Sequence, residues 1–165
     1  MIDLTILKKF LVEAKKYAYA SGDKSRKIKE LDGSKTLIYE RGDWKYHDNY
    51  FGGEPYGGRE VVFYKGKPVW IMVYYGTVIA SVSQKRLKEI YEFLQQCLSL
   101  VPENKPFRGR ETSCMGDFYY RNKNEGTVSV EKFSGIETIT YLNSQIVYTA
   151  NYFGGLVDQR DDGIE

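Results

Sequence analysis

The sequence predicts an α+β fold of two tandem repeats, each with one helix followed by about four antiparallel strands, related by a pseudo-two-fold axis. Three observations predict this fold. Two segments carry apolar residues at helical spacing. Many other segments alternate in polarity and are rich in aromatic and β-branched residues. Aromatic-glycine motifs of the first half also recur in the same order in the second half.

Residues 4–20 and 84–100 are the two predicted helices. In the first, Leu4, Leu7 and Leu11 recur at steps of three and four, which places them on one face of a helix. Asp3 and Ser83 have side chains that are preferred at a helix N-cap. Because each segment is apolar on one side only, both helices are expected to cover a sheet.

The predicted strands alternate in polarity and are separated by turns that contain glycine. They comprise residues 36–39, 43–50, 59–64, 69–75, 110–114, 117–123, 127–133, 136–142 and 146–153. The polar, basic segment 21–35 before the first strand is expected to be a solvated loop, or a lid that brings positive charge to a site.

The internal repeat rests on three matches, one of which pairs Trp70, Tyr74, Tyr75 and Gly76 with Tyr148, Tyr152, Phe153 and Gly154. Residues 42–46, Gly-Asp-Trp-x-Tyr, recur at 116–120 as Gly-Asp-Phe-x-Tyr, and residues 56–60, Tyr-x-Gly-x-Glu, recur at 133–137 as Phe-x-Gly-x-Glu. These matches predict one domain over residues 1–158, divided into repeat one (1–80) and repeat two (81–158). Residues 159–165 are expected to be a flexible acidic tail.

Charge and processing signals exclude several classes of protein. With 24 Lys and Arg against 22 Asp and Glu, the formal net charge is +2, too small for a typical binder of polymeric nucleic acid. No window reaches the ~20 apolar residues that cross a membrane, and residues 1–20 lack the pattern of a signal peptide. The two cysteines, Cys97 and Cys114, lack metal or redox spacing. We therefore expect a cytoplasmic protein with free thiols.

Catalytic chemistry is not indicated by any motif. His47 is the single histidine, which excludes sites with several histidines and weakens any Ser-His or Cys-His arrangement. No catalytic residue, metal or cofactor is predicted, and the chain is interpreted as non-catalytic. A hydrolase that uses Glu60 and Glu137 is the third alternative, and it requires the two carboxyls within about 5–10 Å in an open cleft.

Glu60 and Glu137 are the most informative polar residues. Each shares a strand face with apolar neighbours, and a carboxylate that faces inward needs an Arg, Lys or Tyr partner, or a ligand. The leading hypothesis is a pocket for a small, flat, partly polar ligand between the repeats. Its predicted lining residues are Tyr46, Glu60, Tyr64, Trp70, Tyr74, Tyr120, Glu137, Tyr141, Tyr148 and Tyr152. The glycine-rich segment with Gly53, Tyr56 and Gly57 is expected to be a flap over one half.

The alternative hypothesis is a protein–protein interaction module, such as an inhibitor, immunity or adaptor protein. Exposed tyrosines suit this role because they bury a large area at little entropic cost. A flat, exposed aromatic patch would favour it, whereas a concave aromatic pocket would favour the small-molecule hypothesis. A homodimer through an open sheet edge is compatible with either.

Three motifs carry a resemblance to a known family. They are residues 50–53 (Tyr-Phe-Gly-Gly), 56–62 (Tyr-x-Gly-x-Glu-x-Val) and 66–76 (Gly-Lys-Pro-Val-Trp-x-Met-x-Tyr-Tyr-Gly). The chain, to about Val157, resembles an uncharacterised bacterial domain family that occurs alone or fused behind helix-turn-helix regulators. The resemblance brings no activity and no catalytic residue, and the fused form implies a sensory or ligand-binding role. Residues 1–20 supply one helix only, so the DNA-binding part is not expected here.

Overall fold

The computed structural model describes residues 2–20, 26–126, 128–142 and 144–158. These residues form two helices, α1 (Leu4–Ala20) and α2 (Gln84–Ser99). The strands are β1 (Ile28–Lys29), β2 (Lys35–Arg41), β3 (Trp44–Gly52), β4 (Tyr56–Tyr64), β5 (Lys67–Val78), β6 (Thr112–Met115), β7 (Phe118–Asn124), β8 (Lys132–Tyr141) and β9 (Gln145–Leu156). The tail predicted over residues 159–165 lies outside the described residues.

All nine strands belong to one antiparallel sheet, in the order β1-β2-β3-β4-β5-β9-β8-β7-β6. The centre of the sheet is the β5–β9 pair, in register from Trp70↔Leu156 to Val78↔Tyr148. The predicted fold class is therefore wrong: the fold is sheet-dominated, 49% strand and 22% helix, and is not two helix-plus-strand repeats. Pairing β5 with β9 satisfies the backbone groups that two separate sheets would leave at exposed edges.

Both predicted helices are confirmed, and α2 ends one residue earlier than expected. Asp3 caps the N-terminus of α1, because its Oδ1 accepts hydrogen bonds from the backbone N–H groups of Thr5 (2.8 Å) and Ile6 (3.1 Å). Ser83 caps α2 in the same way, with its hydroxyl oxygen 3.3 Å from the backbone nitrogen of Arg86. Neither helix, as far as the chain is described, is long and apolar enough to cross a membrane.

Two predicted segments differ from the structure. The prediction of a strand over 127–133 is wrong for residues 128–131, where Ser129 makes only an isolated bridge to Lys132, while residues 132–133 begin β8. Residue 127 lies outside the described residues. Val130 is buried in this turn, and its carbonyl oxygen accepts a hydrogen bond from Trp70 Nε1 at 3.0 Å. Apolar residues here thus reach the core without a strand.

Within the predicted loop 21–35, β1 pairs with the start of β2 and forms the edge of the sheet. Residues 21–25 of that loop lie outside the description.

The helices lie on one face of the sheet, which we call the helix face. α1 packs on β2 and β3, α2 packs on β7, and the helices contact each other. One core cluster centres on Leu7, Phe10 and Trp70, and a second centres on Ile90 and Tyr148. Along β5, residues alternate between this core and the opposite side of the sheet, which we call the open face. There Val73, Tyr75 and Thr77 are exposed.

Candidate functional site

The ten residues predicted to line a pocket all lie on the helix face. Eight of them are no more than 6% exposed, and Tyr64 and Tyr141 are half-buried. The first core cluster contains Tyr46, Trp70, Tyr74 and Tyr152, whereas Tyr120 and Tyr148 belong to the second. These side chains therefore fill the space between sheet and helices. Ligand binding by them stays a prediction.

Glu60 pairs with Lys15, a lysine on the buried side of α1. Both side chains are completely inaccessible to solvent, and Lys15 Nζ donates hydrogen bonds to Glu60 and, at 2.7 Å, to the carbonyl oxygen of Phe107. Burial lowers the pKa of Lys15, while the charge of Glu60 acts in the opposite direction. The sequence predicts that an inward carboxylate needs an Arg, Lys or Tyr partner, or a ligand. For Glu60 the partner is Lys15.

Glu137 has a corresponding arrangement with Arg108, in the connection between α2 and β6. Arg108 Nε lies 2.8 Å from one carboxylate oxygen of Glu137, and the hydroxyl of Tyr120 donates to the other. Burial and the charge of Glu137 raise the pKa of Tyr120 well above that of a free tyrosine. Nothing in the sequence distinguishes Arg108 from the other cations of the chain, so sequence reasoning does not find it.

Asp48 is a third buried carboxyl and is not among the site residues predicted from the sequence. It lies on β3 directly opposite Glu60 and accepts a hydrogen bond from the hydroxyl of Tyr74 at 2.6 Å. Burial, and then the negative charge of Glu60, raise the pKa of Asp48 to about 7. Period-two alternation could have found it, because Asp48 shares a strand face with Tyr46.

These groups interact as one assembly, the buried charge cluster. It consists of Lys15, Asp48, Glu60, Arg108 and Glu137. Both glutamates are 0% exposed and engaged with cations, so neither faces an open cleft as the hydrolase alternative requires. Among the residues with assigned positions, no group of three or more His, Cys, Asp or Glu is placed to hold a metal ion.

The predicted flap residues are divided between a strand and a short connection. Tyr56 and Gly57 belong to β4, where Gly57 pairs with Tyr75 of β5, and only residues 53–55 connect β3 to β4. Tyr56 points to the helix face, where its hydroxyl lies 2.6 Å from that of Tyr148. Its backbone and side chain are thus held by neighbours.

A groove of about 920 Å³ lies on the open face, above β3, β4 and β5. We call it the β3–β5 groove. Its apolar floor is Val61, Phe63 and Ile71, while Lys45 and His47 line it from β3 and Arg59 lines it from β4. Strand alternation explains this set, since the register places His47 opposite Val61 and Lys45 opposite Phe63.

Within the described residues, two of the three cations that line the β3–β5 groove have an anionic partner and one has none. Lys45 Nζ lies 3.3 Å from Glu40, and Lys65 Nζ lies 3.9 Å from Asp43. Arg59 forms no ion pair or side-chain hydrogen bond with another residue of the described chain. Partial burial, and then the charges of Arg59 and Lys45, lower the pKa of His47. The groove therefore combines an apolar floor with one uncompensated guanidinium.

A second groove, of about 750 Å³, lies beside it on the open face, above β5, β9 and β8. We call it the β8–β9 groove. It is lined by Val73 and Phe153, which are paired across β5 and β9, and it carries Lys132 and Glu131 at its edge. This groove, like the first, has both signs of charge at its edge, and it provides control positions for tests of the first.

The comparisons with known proteins identify a family. The profile of a domain of unknown function, DUF5680, matches residues 48–157. No significant match was found among curated proteins or among solved structures. The match confirms the resemblance to an uncharacterised domain family, while the family motifs and the fusion to regulators stay predictions. Since the matched region covers most of the chain, including Asp48, Arg59 and Arg108, the chain belongs to the DUF5680 family.

Proposed function

We propose that this chain is a non-catalytic domain that binds a small molecule in the β3–β5 groove. The observation that supports this proposal most directly is the groove itself, about 920 Å³ with an apolar floor and charged residues, three cations and two carboxylates, at its edge. Ligand sites typically occupy about 300–1,000 Å³ and combine apolar walls with a few polar groups. The groove has both properties.

The buried charge cluster has a supporting role in this proposal. Asp48 and Glu60 neighbour His47 and Arg59 along β3 and β4, and successive strand residues point to opposite faces. The hydrogen bond of Tyr74 to Asp48 and the ion pair of Lys15 with Glu60 therefore hold, from the helix face, the strands that present His47 and Arg59 on the open face. A site on paired strands is held more rigidly than one on a loop.

The biological role we propose is a cytoplasmic sensor or sequestering domain. This finer statement rests on the resemblance to bacterial domains fused behind helix-turn-helix regulators, which is an argument by analogy. In such a role, occupancy of the groove would be the signal, and no catalytic group is required.

The test is a thermal-shift screen with nucleotides, aromatic carboxylic acids and fatty acids. We expect at least one compound to raise the Tm of the wild type, and Phe63→Ala to abolish the shift because it removes part of the groove floor. Phe153→Ala in the β8–β9 groove is the matched control and should retain the shift. If Phe63→Ala does not fold, His47→Ala replaces it.

Two outcomes would overturn the proposal. The first is that no compound of the screen stabilises the wild type. The second is that Phe153→Ala abolishes the shift while Phe63→Ala preserves it, which would assign binding to the other groove. Glu137→Gln is not used in this test, because loss of the buried pair would change the Tm without any ligand.

A second candidate function, the protein-interaction module, is favoured by exposed apolar side chains on the open face. Tyr75 and Phe153 are 56% and 58% exposed, and Val73 lies directly opposite Phe153. Aromatic anchors of this kind are typical of interfaces. We would test self-association by sedimentation, expecting a wild-type dimer that Phe153→Ser converts to a monomer. A wild type that stays monomeric at all concentrations would count against self-association through this surface.

A further inference from the structure

We propose that the ligand of the β3–β5 groove is an amphipathic carboxylate, with its apolar body on the groove floor and its carboxylate bound by Arg59. This inference rests on the proposed function, and it adds the chemical class of the ligand and the residue that selects it.

The first argument is the state of Arg59. It lies on β4 between Asn49 of β3 and Val73 of β5, and it has no anionic partner within the described residues. A guanidinium presents several N–H donors in a planar fork that matches the two oxygens of a carboxylate. Such charge-assisted, bidentate pairs are stronger than neutral hydrogen bonds. Arg59 therefore provides an anion-binding group beside an apolar surface.

The second argument is the distribution of charge along the groove. The ion pairs of Lys45 with Glu40 and of Lys65 with Asp43 lie toward the turn between β2 and β3, away from Arg59. Because both lysines at that end already have carboxylate partners, neither is an uncompensated cation for a second anionic group. The groove thus favours a ligand with one negative end and an apolar body.

The third argument is length. Arg59 and Phe63 are four residues apart on β4, which corresponds to about 13 Å along an extended strand. Val61 lies between them on the same face, and Ile71 lies beside Val61 on β5. A body of two fused rings, or an alkyl chain of medium length, covers this floor while its carboxylate lies at Arg59.

His47 gives the proposal a pH signature. Its imidazole faces Lys45 along β3, Arg59 on β4 and, more weakly, Glu30 near the sheet edge. Partial burial, and then the two cations, lower its pKa and so disfavour its protonated form. Its register neighbours are the apolar Ile38 and Val61. A carboxylate bound in the groove counteracts the two cations and favours the imidazolium. Binding should therefore take up a proton and become tighter as the pH falls.

The experiment measures binding of naphthalene-2-carboxylate by calorimetry or competition fluorescence, with the neutral naphthalene-2-carboxamide as the matched ligand. We expect the wild type to bind the carboxylate more tightly than the carboxamide. Arg59→Gln should weaken carboxylate binding by about 10- to 100-fold and leave carboxamide binding unchanged. Lys132→Gln, the matched cation of the β8–β9 groove, should change neither.

The outcomes separate this inference from the proposed function. Equal binding of carboxylate and carboxamide by the wild type, abolished for both by Phe63→Ala, overturns the ligand class and leaves the groove as the site. Binding of neither compound overturns the inference. The proposed function also fails if the broader screen finds no ligand.

Two further variants sharpen the assignment. If Arg59→Gln does not fold, Arg59→Lys takes its place. It keeps the positive charge but loses the planar, bidentate donor geometry of the guanidinium, so we expect an intermediate loss of carboxylate affinity. His47→Ala should abolish the tightening of carboxylate binding between about pH 7.5 and pH 5.5 that the wild type shows. An unchanged pH dependence in His47→Ala would overturn the role of His47, and a carboxylate affinity unchanged by Arg59→Gln would overturn the proposal as a whole.

Discussion

Arg108 Nε lies 2.8 Å from a carboxylate oxygen of Glu137, and the two side chains are only 2% and 0% exposed. The cation comes from the connection before β6 and the anion from the middle of β8, so the pair joins two segments that are distant in sequence. Removing either partner leaves an uncompensated charge in the core. The stability of the fold therefore depends on a contact that only the folded chain makes.

The first prediction concerns this pair. Glu137→Gln should lower the free energy of unfolding by about 3–5 kcal/mol, because the guanidinium of Arg108 stays buried without its counter-charge. Urea denaturation measures the change. The matched control is Glu92→Gln, which removes an exposed ion pair with Lys88 at 3.7 Å and should cost less than about 1 kcal/mol. Equal losses in the two variants would contradict the prediction.

The second prediction concerns Asp48. Its pKa is about 7 in the folded protein against 3.8 for an ordinary aspartate, so the folded state keeps a proton that the unfolded chain has released. The stability that this group contributes is complete below pH 3.8 and is lost as the pH rises to about 7. The loss across that window is at most about 4 kcal/mol.

Asp48→Asn tests this directly, because asparagine cannot titrate and can still accept the hydrogen bond of Tyr74. Free energies of unfolding measured from about pH 4 to pH 8 should show a smaller decline in the variant than in the wild type. Asp43→Asn, at an exposed turn, should keep the wild-type dependence. A variant with the full wild-type decline would show that another group controls it.

The third prediction concerns the pairing of β5 with β9. A Cβ at Gly154 would lie 2.0 Å from the carbonyl oxygen of Ile71 and 2.8 Å from the Cα of Met72, so neither strand can accommodate it without moving. Gly154→Ala should therefore lower the free energy of unfolding by about 1–3 kcal/mol. Gly53→Ala, where a Cβ meets nothing within 4 Å, should be neutral or slightly stabilising. A neutral Gly154→Ala would contradict the observed closeness of the two strands.

The fourth prediction concerns the two thiols. Cys97 is buried in α2, and burial raises the pKa of its thiol to about 12, whereas Cys114 is exposed. Since the thiolate is the reactive form, Ellman's reagent should label one thiol quickly in the native protein and the second only after unfolding. Cys114→Ser should remove the fast reaction. Two fast thiols in the wild type would contradict the position of Cys97.

Local patterns in the sequence determined much of the secondary structure. Helical periodicity and the caps Asp3 and Ser83 located both helices, because those signals depend on residues within a few positions of each other. Alternation also predicted that Glu60 and Glu137 face inward. It failed over 128–131, where apolar residues reach the core from a turn and the apolar pattern resembles that of a strand.

The sequence by itself therefore determined the two helices, most of the strands and the need of two inward glutamates for partners. Only the tertiary structure decided that one sheet joins β5 to β9 and that Lys15 and Arg108 are the partners. It also decided that the open face has a groove lined by Arg59, which has no anionic partner among the described residues. The physical reason is the range of the interactions. Alternation and capping act between near neighbours, whereas strand order, ion pairing and the shape of a surface depend on residues that only folding brings together.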